Sequence, residues 1–439
     1  MSKGIVSINR KRKIMYVEQI KLKNFRNYDA LEFKPGSGLN ILIGKNAQGK
    51  TNFLEALNIL ASSKSFRVRN ETELIKWQAN YAEIDADLFT ERGTKRRLTI
   101  RWAYNPFSKV LERRIFIDDN VVKRLSDFLG EVPLTLFIPG DLALIQGGPT
   151  LRRRLMDVLL CKVSDIYCTH LINYRHVLRQ RNKFLHIHVR GSGSEAYLTE
   201  TDRSYLQVWN VQLKKLGAEI TYYRLIILAY LQVVVGRIYA QLSSDDKCQL
   251  NLTYQSRLGK ANLLEINQVL AEKAAILEKN CLEKSSSINL SLELEPKFLY
   301  KLEELFITAL QRNAQSELSF RSTQVGPHRD DFGIEVLGHN LKTFGSQGQH
   351  RSAALALRLA EAKIMSLVRC EKSIILLDDC FSELDKGRQE ILLNYLGSLG
   401  QVFLTAAVSA DFSEVFQNIR KVNYFNVELG TIKSIAERC

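Results

Sequence analysis

Gly44-Lys45-Asn46-Ala47-Gln48-Gly49-Lys50-Thr51 fits the pattern G-x-x-x-x-G-K-[ST], and its flanks decide how it is read. Leu39 to Ile43 ahead of it is an apolar, strand-like run, and Asn52 to Leu60 behind it has the apolar spacing of a helix. Strand, glycine loop and helix together build a phosphate cradle. The glycines let the backbone turn so tightly that successive N–H groups and the helix N-terminus face an anion. The whole stretch is therefore read as nucleotide-binding, with Lys50 neutralising the β- and γ-phosphates and Thr51 binding magnesium.

Far downstream, Ser373-Ile374-Ile375-Leu376-Leu377 is an apolar run ending in Asp378-Asp379. A buried parallel strand delivers carboxylates in this way at its C-terminal edge, where open α/β sheets bind ligands. This is a Walker B motif. Asp378 is expected to hold the hydrated magnesium ion, and Asp379 to orient or deprotonate the attacking water, because phosphoryl transfer rests on positioning and charge stabilisation. ATP and Mg2+ are the implied cofactors.

Between the two motifs, Ser346-Gln347-Gly348-Gln349 precedes a helical run from His350 to Lys363. A serine and a glycine at a helix N-terminus suit a phosphate, and they equally suit a plain serine cap. The tetrapeptide resembles the signature motif of ABC-type ATPases, and Ser382-Glu383-Leu384-Asp385 resembles their D-loop. The resemblance implies an α/β fold with an ABC-type ATPase head of the P-loop NTPase class. It also implies that Ser346 reaches the γ-phosphate held by an opposite subunit, so that Lys50, Asp379 and Ser346 form the catalytic set and ATP controls a homodimer. Thr405, after Val402-Phe403-Leu404, matches the position of the ABC switch histidine, and as a residue also reads as a strand-end threonine. No Q-loop glutamine is evident.

Longer segments narrow the resemblance. Leu22 to Tyr28, Thr323 to Asp331, Gly345 to Arg351, Arg152-Arg153-Arg154 and Tyr174 to Asn182 are similar to the RecF family of ABC/SMC-like ATPases, from about Met15 to Phe425. Phe66 departs from the family, which often has His there, and so does Gly140, where an acidic residue is common. The local roles of Ser65 to Arg67 and of the Asp141 loop stay open. The resemblance implies binding to double-stranded and gapped DNA and weak, DNA-stimulated ATP hydrolysis. It also implies recombination and repair work in which RecR, and RecO through it, help load the RecA recombinase.

Composition agrees with such a partner. Lys and Arg number 62 against 47 Asp and Glu, and the net charge of +15 favours a polyanion, whether nucleic acid or acidic membrane. The 7 cysteines, an odd number without a Cys-x-x-Cys pair, argue against a disulfide framework or zinc ribbon and fit a reducing cytoplasm. The basic start lacks the apolar core of a secretory signal. Leu225 to Val235 is about half the length needed to cross a bilayer, so it is read as a buried helix and no membrane partner is expected.

A basic extension is expected over residues 1–14, a head over 15–150 and 321–439, and an inserted, mostly helical lobe over 151–320. Within the head, the alternation of Ile84, Ala86 and Leu88 and of Leu98, Ile100 and Trp102 predicts an antiparallel sheet, with a turn at Asp118-Asp119-Asn120. In the lobe, Leu263, Ile266, Leu270, Ala274, Leu277 and Cys281 form a helical stripe, and Ile288 to Leu294 returns to strand alternation. Long heptads are missing, which weighs against an SMC- or Rad50-like structural ATPase. The ATPase subunit of a transporter is the rival from another class.

Arg152, Arg153, Arg154, Arg175, Arg179, Arg181 and Lys183 form either a DNA-phosphate track or a solvated basic face. Gly326 to Asp331 reads either as a turn or as a DNA or interface element. His328-Arg329-Asp330 abuts Asp331-Phe332-Gly333, whereas kinases keep those elements apart. His186 and His188 point apart on a helix and make a poor metal pair.

Overall fold

A computed structural model describes residues 13–90, 94–128, 130–243, 249–259, 261–283, 294–369, 371–381, 384–396, 399–407 and 422–435. The chain forms two compact units. One comprises Met1–Asp141, Gln241–Asp246 and Ala354–Cys439, and the other Leu142–Ala240 and Lys247–Ala353. The division falls at residues 141 and 353, against the expected 150 and 320, and it places Gly326 to Asp331 and the Ser346 tetrapeptide in the second unit. The cause is local: strand Asp331–Val336 pairs antiparallel with strand Leu250–Gln255 of that unit.

The first unit is built on two sheets. In one, strands lie in the order Thr431–Ser434, Val422–Glu428, Leu39–Ile43, Val402–Ala406, Ile374–Leu377 and Leu134–Phe137. All pair parallel except the outermost, which returns as a hairpin. Parallel strands covered on both faces read as unbroken apolar runs, which is why Ile374–Leu377 and Val402–Ala406 are buried at every position. The register pairs Ile43 with Ala406 and Leu377 with Leu404, so the glycine loop and the two aspartates leave the sheet at the same edge.

The other sheet is an antiparallel meander of Lys13–Phe25, Tyr81–Thr90, Lys95–Asn105 and Val110–Ile117, with Tyr28–Phe33 paired on the first strand. Its inner positions, among them Ile84, Leu98, Ile100 and Trp102, are buried as the alternation predicts. Asp118 and Asp119 both take positive φ in the turn at Asn120, as the tight hairpin requires. Helix Lys50–Ser62 packs into the core, where the Phe53 ring meets Phe33 of the meander and Phe403 of the parallel sheet.

The second unit is mostly helical. Its elements include helices Pro149–Val163, Asp165–His188, Pro296–Arg312 and Ala314–Phe320, and a small sheet of Leu250–Gln255, Asp331–Val336 and His339–Asn340. Helix Glu200–Ser243 has 44 residues. It is long and apolar enough to cross a membrane by length and composition, and 56% of its most apolar window is buried in the protein. The short run Leu225 to Val235 thus understated it. Buried positions continue from Leu213 to Tyr239, and the intervening Arg224 is itself buried and ion-paired to Asp157. Ile288 to Glu293, the side chains of Leu277 and Cys281, and residues 1–12 lie outside the described residues.

Candidate nucleotide-binding site

The glycine loop follows strand Leu39–Ile43 and opens helix Lys50–Ser62. A Cβ on Gly44 would stand 2.3 Å from the Val427 carbonyl oxygen, and Gly49 takes φ 116°, so both positions need glycine. Neighbouring elements prop the loop from behind. The Asn27 amide donates to the Gln48 carbonyl (3.0 Å), the Tyr28 hydroxyl to the Gly49 carbonyl (3.0 Å), and the Leu429 N–H to the Gln48 side chain (2.8 Å). Lys50 is 8% exposed, and its ammonium curls over the loop to the carbonyls of Gly44 (2.6 Å) and Lys45 (2.9 Å). Burial lowers its pKa, while Asp379 and Asp378 act to raise it.

Asp378 is buried beside the loop. One of its oxygens accepts from the Thr51 hydroxyl (3.0 Å), 327 residues away in sequence, and from the Thr405 hydroxyl (2.9 Å). Burial raises its pKa, and the two threonine hydrogen bonds work against that rise. Mg2+ takes few protein oxygens and fills its remaining positions with phosphate and water. Thr51 and Asp378, an oxygen-only pair at the loop, fit that requirement, and among the described residues no cluster of His, Cys, Asp or Glu offers a larger cage. Asp379 is exposed and takes φ 46°.

Arg67 joins this site although its segment was left open by the sequence. Glu55, fully buried on the loop's helix, takes a bidentate bond from Arg26 (2.8 Å each) and a hydrogen bond from the Ser65 hydroxyl. The Ser65 oxygen then accepts from the N–H groups of Arg67 (2.9 Å) and Val68 (3.0 Å). So held, the Arg67 guanidinium donates to Asn52 (2.6 Å), and its charge acts to lower the pKa of Asp378. The available signal was a serine and an arginine shortly after a phosphate-binding helix.

Ser346 is exposed at the N-terminus of helix Gln347–Arg369. Its oxygen accepts from the Gln349 N–H (3.2 Å) while the Gln349 side chain accepts from the Ser346 N–H (2.9 Å), a reciprocal capping box. The cap reading is therefore realised, and because the serine oxygen accepts in it, the hydroxyl proton is left to donate outward. His350 anchors the loop through Leu341 and Gln146. In the D-loop, Ser382 and Glu383 lie outside the described residues, Leu384 is buried, and Asp385 caps the helix Lys386–Leu396 at the Arg388 N–H (3.0 Å).

Three expectations are corrected. Thr405 is 1% exposed and its proton is committed to Asp378, so it does not present a hydroxyl to a phosphate as a switch residue would. Arg152 and Arg181 are buried, and neither lies on a surface track. Arg152 forks onto Asp331 (2.9 and 2.7 Å), and Arg181 bonds Glu317 (2.5 Å) and Thr323 (2.7 Å). Arg153 is half-buried on the Asp330 carbonyl (2.8 Å), whereas Arg154, Arg175, Arg179 and Lys183 are exposed.

Gly326 to Asp331 belongs largely to the polar core of the second unit. His328 lies between the Tyr174 hydroxyl (2.7 Å) and the Thr323 carbonyl (3.1 Å), and Asp330 accepts from Tyr254 (2.8 Å). The turn reading stands, with Arg329 its exposed residue. His188 pairs with Asp202 (2.8 Å) and stacks on Phe184 rather than facing His186.

Residues 16–428 match the family model of the RecF/RecN/SMC N terminal domain. The chain is 33% identical over 418 residues to the DNA replication and repair protein RecF of Oenococcus oeni, covering 95% of this chain and 99% of that one. It is 32% identical over 424 residues to the protein of the same name from Bacillus cytotoxicus, covering 97% and 100%. Among solved structures, the recombination mediator protein RecF-ATPrS in the RecFOR pathway superposes with a TM-score of 0.74 at 27% identity, covering 97% of this chain and 100% of that chain.

Proposed function

The chain belongs to the RecF family of SMC-like ATPases, and from that premise we propose that it is an ATP-dependent DNA-binding protein of recombination and repair. ATP and Mg2+ occupy the site around Lys50, Thr51 and Asp378, and two copies close on nucleotide with Ser346 of each facing the phosphates held by the other. The closed dimer grips double-stranded or gapped DNA. Slow, DNA-stimulated hydrolysis then releases it. RecR, with RecO behind it, is the partner through which RecA is loaded, and the cytoplasm is where this takes place.

The observation that carries the reading is the hydrogen bond from Thr51 to Asp378, which joins a phosphate-binding loop to a Walker B strand from the far end of the chain. Each residue has a definable task. Lys50 exchanges its two carbonyl partners for phosphate oxygens, a stronger charge-assisted bond. Thr51 and Asp378 hold Mg2+, which supplies charge neutralisation at the phosphates. Asp379 stands exposed to position water, and Arg67 adds a cation near the same edge. DNA phosphates meet Arg175, Arg179 and Lys183 on the exposed face of helix Asp165–His188, with Arg154 on the helix before it.

Molar mass by light scattering, with ATP and Mg2+, with ADP, and with ATP plus duplex or gapped DNA, tests the whole. A dimer that forms only with ATP, is strengthened by DNA and is lost in Ser346→Arg supports it. A mass indifferent to nucleotide and DNA overturns it. Co-fractionation with membrane and indifference to DNA would favour the transporter-subunit alternative instead.

A further inference from the structure

The strand Val402–Ala406 is buried at every position, yet it carries one hydroxyl. The register explains where that hydroxyl points. Leu404 pairs with Leu377 on one side, so Thr405 lies one step further along, level with Asp378, while on the other side Thr405 itself pairs with Leu42 of the strand that ends in the glycine loop. Thr405 thus stands between the two strands whose ends make the nucleotide site. Its oxygen accepts the Asp379 N–H at 2.9 Å and its proton goes to Asp378 at 2.9 Å.

The two bonds have different consequences. Asp379 is a non-glycine residue at φ 46°, a left-handed backbone conformation that L side chains adopt only where their surroundings hold it. An N–H captured by a buried hydroxyl on the next strand is such a fixture. At Asp378, the proton from Thr405 arrives at the same oxygen that Thr51 bonds. If Thr51 turns its hydroxyl to a metal ion, Thr405 still orients that carboxylate.

We propose that Thr405 is a positioning residue for hydrolysis, one side chain that aims both Walker B carboxylates: Asp378 by donating to it, and Asp379 by accepting its amide. This rests on the roles given above to those two aspartates. Thr405 acts through its neighbours, and the hydroxyl, not the methyl group that fills the strand core, carries the effect.

Thr405→Val keeps the shape and removes the hydroxyl, and Thr405→Ser keeps the hydroxyl. In Thr405→Val, ATP turnover is expected to fall about 10- to 100-fold, the worth of a hydrogen bond to a charged group. ATP affinity in EDTA, read by titration of a fluorescent ATP analogue, should stay within about twofold, while the gain in affinity on adding Mg2+ shrinks. Thr405→Ser should restore both readouts. Wild-type turnover and Mg2+ response in Thr405→Val would overturn the proposal, and so would a Thr405→Ser as impaired as Thr405→Val. If the valine variant does not fold, Thr405→Ala takes its place against Thr405→Ser under the same criteria. Wild-type protein that binds ATP without hydrolysing it would remove the hydrolytic reading of Asp379 and leave the Mg2+-dependent affinity to decide the case for Thr405.

Discussion

Lys50 holds its ammonium on two carbonyls of the glycine loop, so removing it deletes both the countercharge for a phosphate and a strut of the loop. Lys50→Ala is expected to weaken ATP binding by about 100-fold or more, and an unchanged titration with the fluorescent analogue would refute the site. Asp379 is exposed and makes a different demand. Asp379→Asn should bind ATP normally and hydrolyse it about 100-fold more slowly, so that the ATP dimer accumulates in light scattering; wild-type turnover would remove its role. In the second unit, burial pushes the pKa of His328 down from 6.5 to about 4. Between those values the native state binds fewer protons than the unfolded chain, so the stability His328 provides is complete above pH 6.5 and disappears as the pH falls to 4. Asp330, raised by burial from 3.8 to about 6, acts in the opposite sense over much of that window. Comparison with His328→Gln isolates the histidine. The stability difference between wild type and variant should shrink by about 3 kcal/mol from pH 7 to pH 4 in urea melts, and a difference that ignores pH counts against a neutral, buried His328.

Helix Asp165–His188 shows what a cluster of arginines does and does not reveal. Arg181 lies on its buried face and Arg175, Arg179 and Lys183 on its exposed face. Arg181→Ala should destabilise the protein by about 3–5 kcal/mol, because Glu317 is left buried without its partner. Arg179→Ala with Lys183→Ala should leave the melting temperature alone and flatten the salt dependence of DNA binding by about one logarithmic unit per lost contact. If instead the exposed pair sets stability, the assignment of the two faces is wrong. The sequence made the glycine loop and the Walker B strand readable because each is contiguous and flanked by its own periodicity. It hid whatever depends on register or burial. Thr405 matters through a neighbour 27 positions away, as does the inward turn of Arg152 and Arg181, and neither leaves a local pattern. The helix Glu200–Ser243 runs well beyond the apolar run Leu225 to Val235, because Arg224, which bounds that run in the sequence, is buried and paired to Asp157.

At the scale of the whole chain, a head assembled from both ends was legible, because the loop and the Walker B strand have no closer partners in sequence. That arrangement has a consequence for how the protein comes into being. Strand Leu39–Ile43 has two neighbours in its sheet, Val402–Ala406 and Val422–Glu428, and both lie near the C-terminus. During synthesis at roughly 5–20 residues per second, that apolar strand waits about 20–80 seconds with both edges bare. Bare apolar edges recruit other chains, so a chain ending after Leu396 should accumulate as insoluble protein on expression, while the full chain stays in solution. A soluble, monomeric truncation would show that the meander alone protects the strand. Separations of this length also slow folding, since the loop must close before any contact rewards it. The phosphate loop is thereby synthesised 327 residues ahead of the aspartate that completes its site.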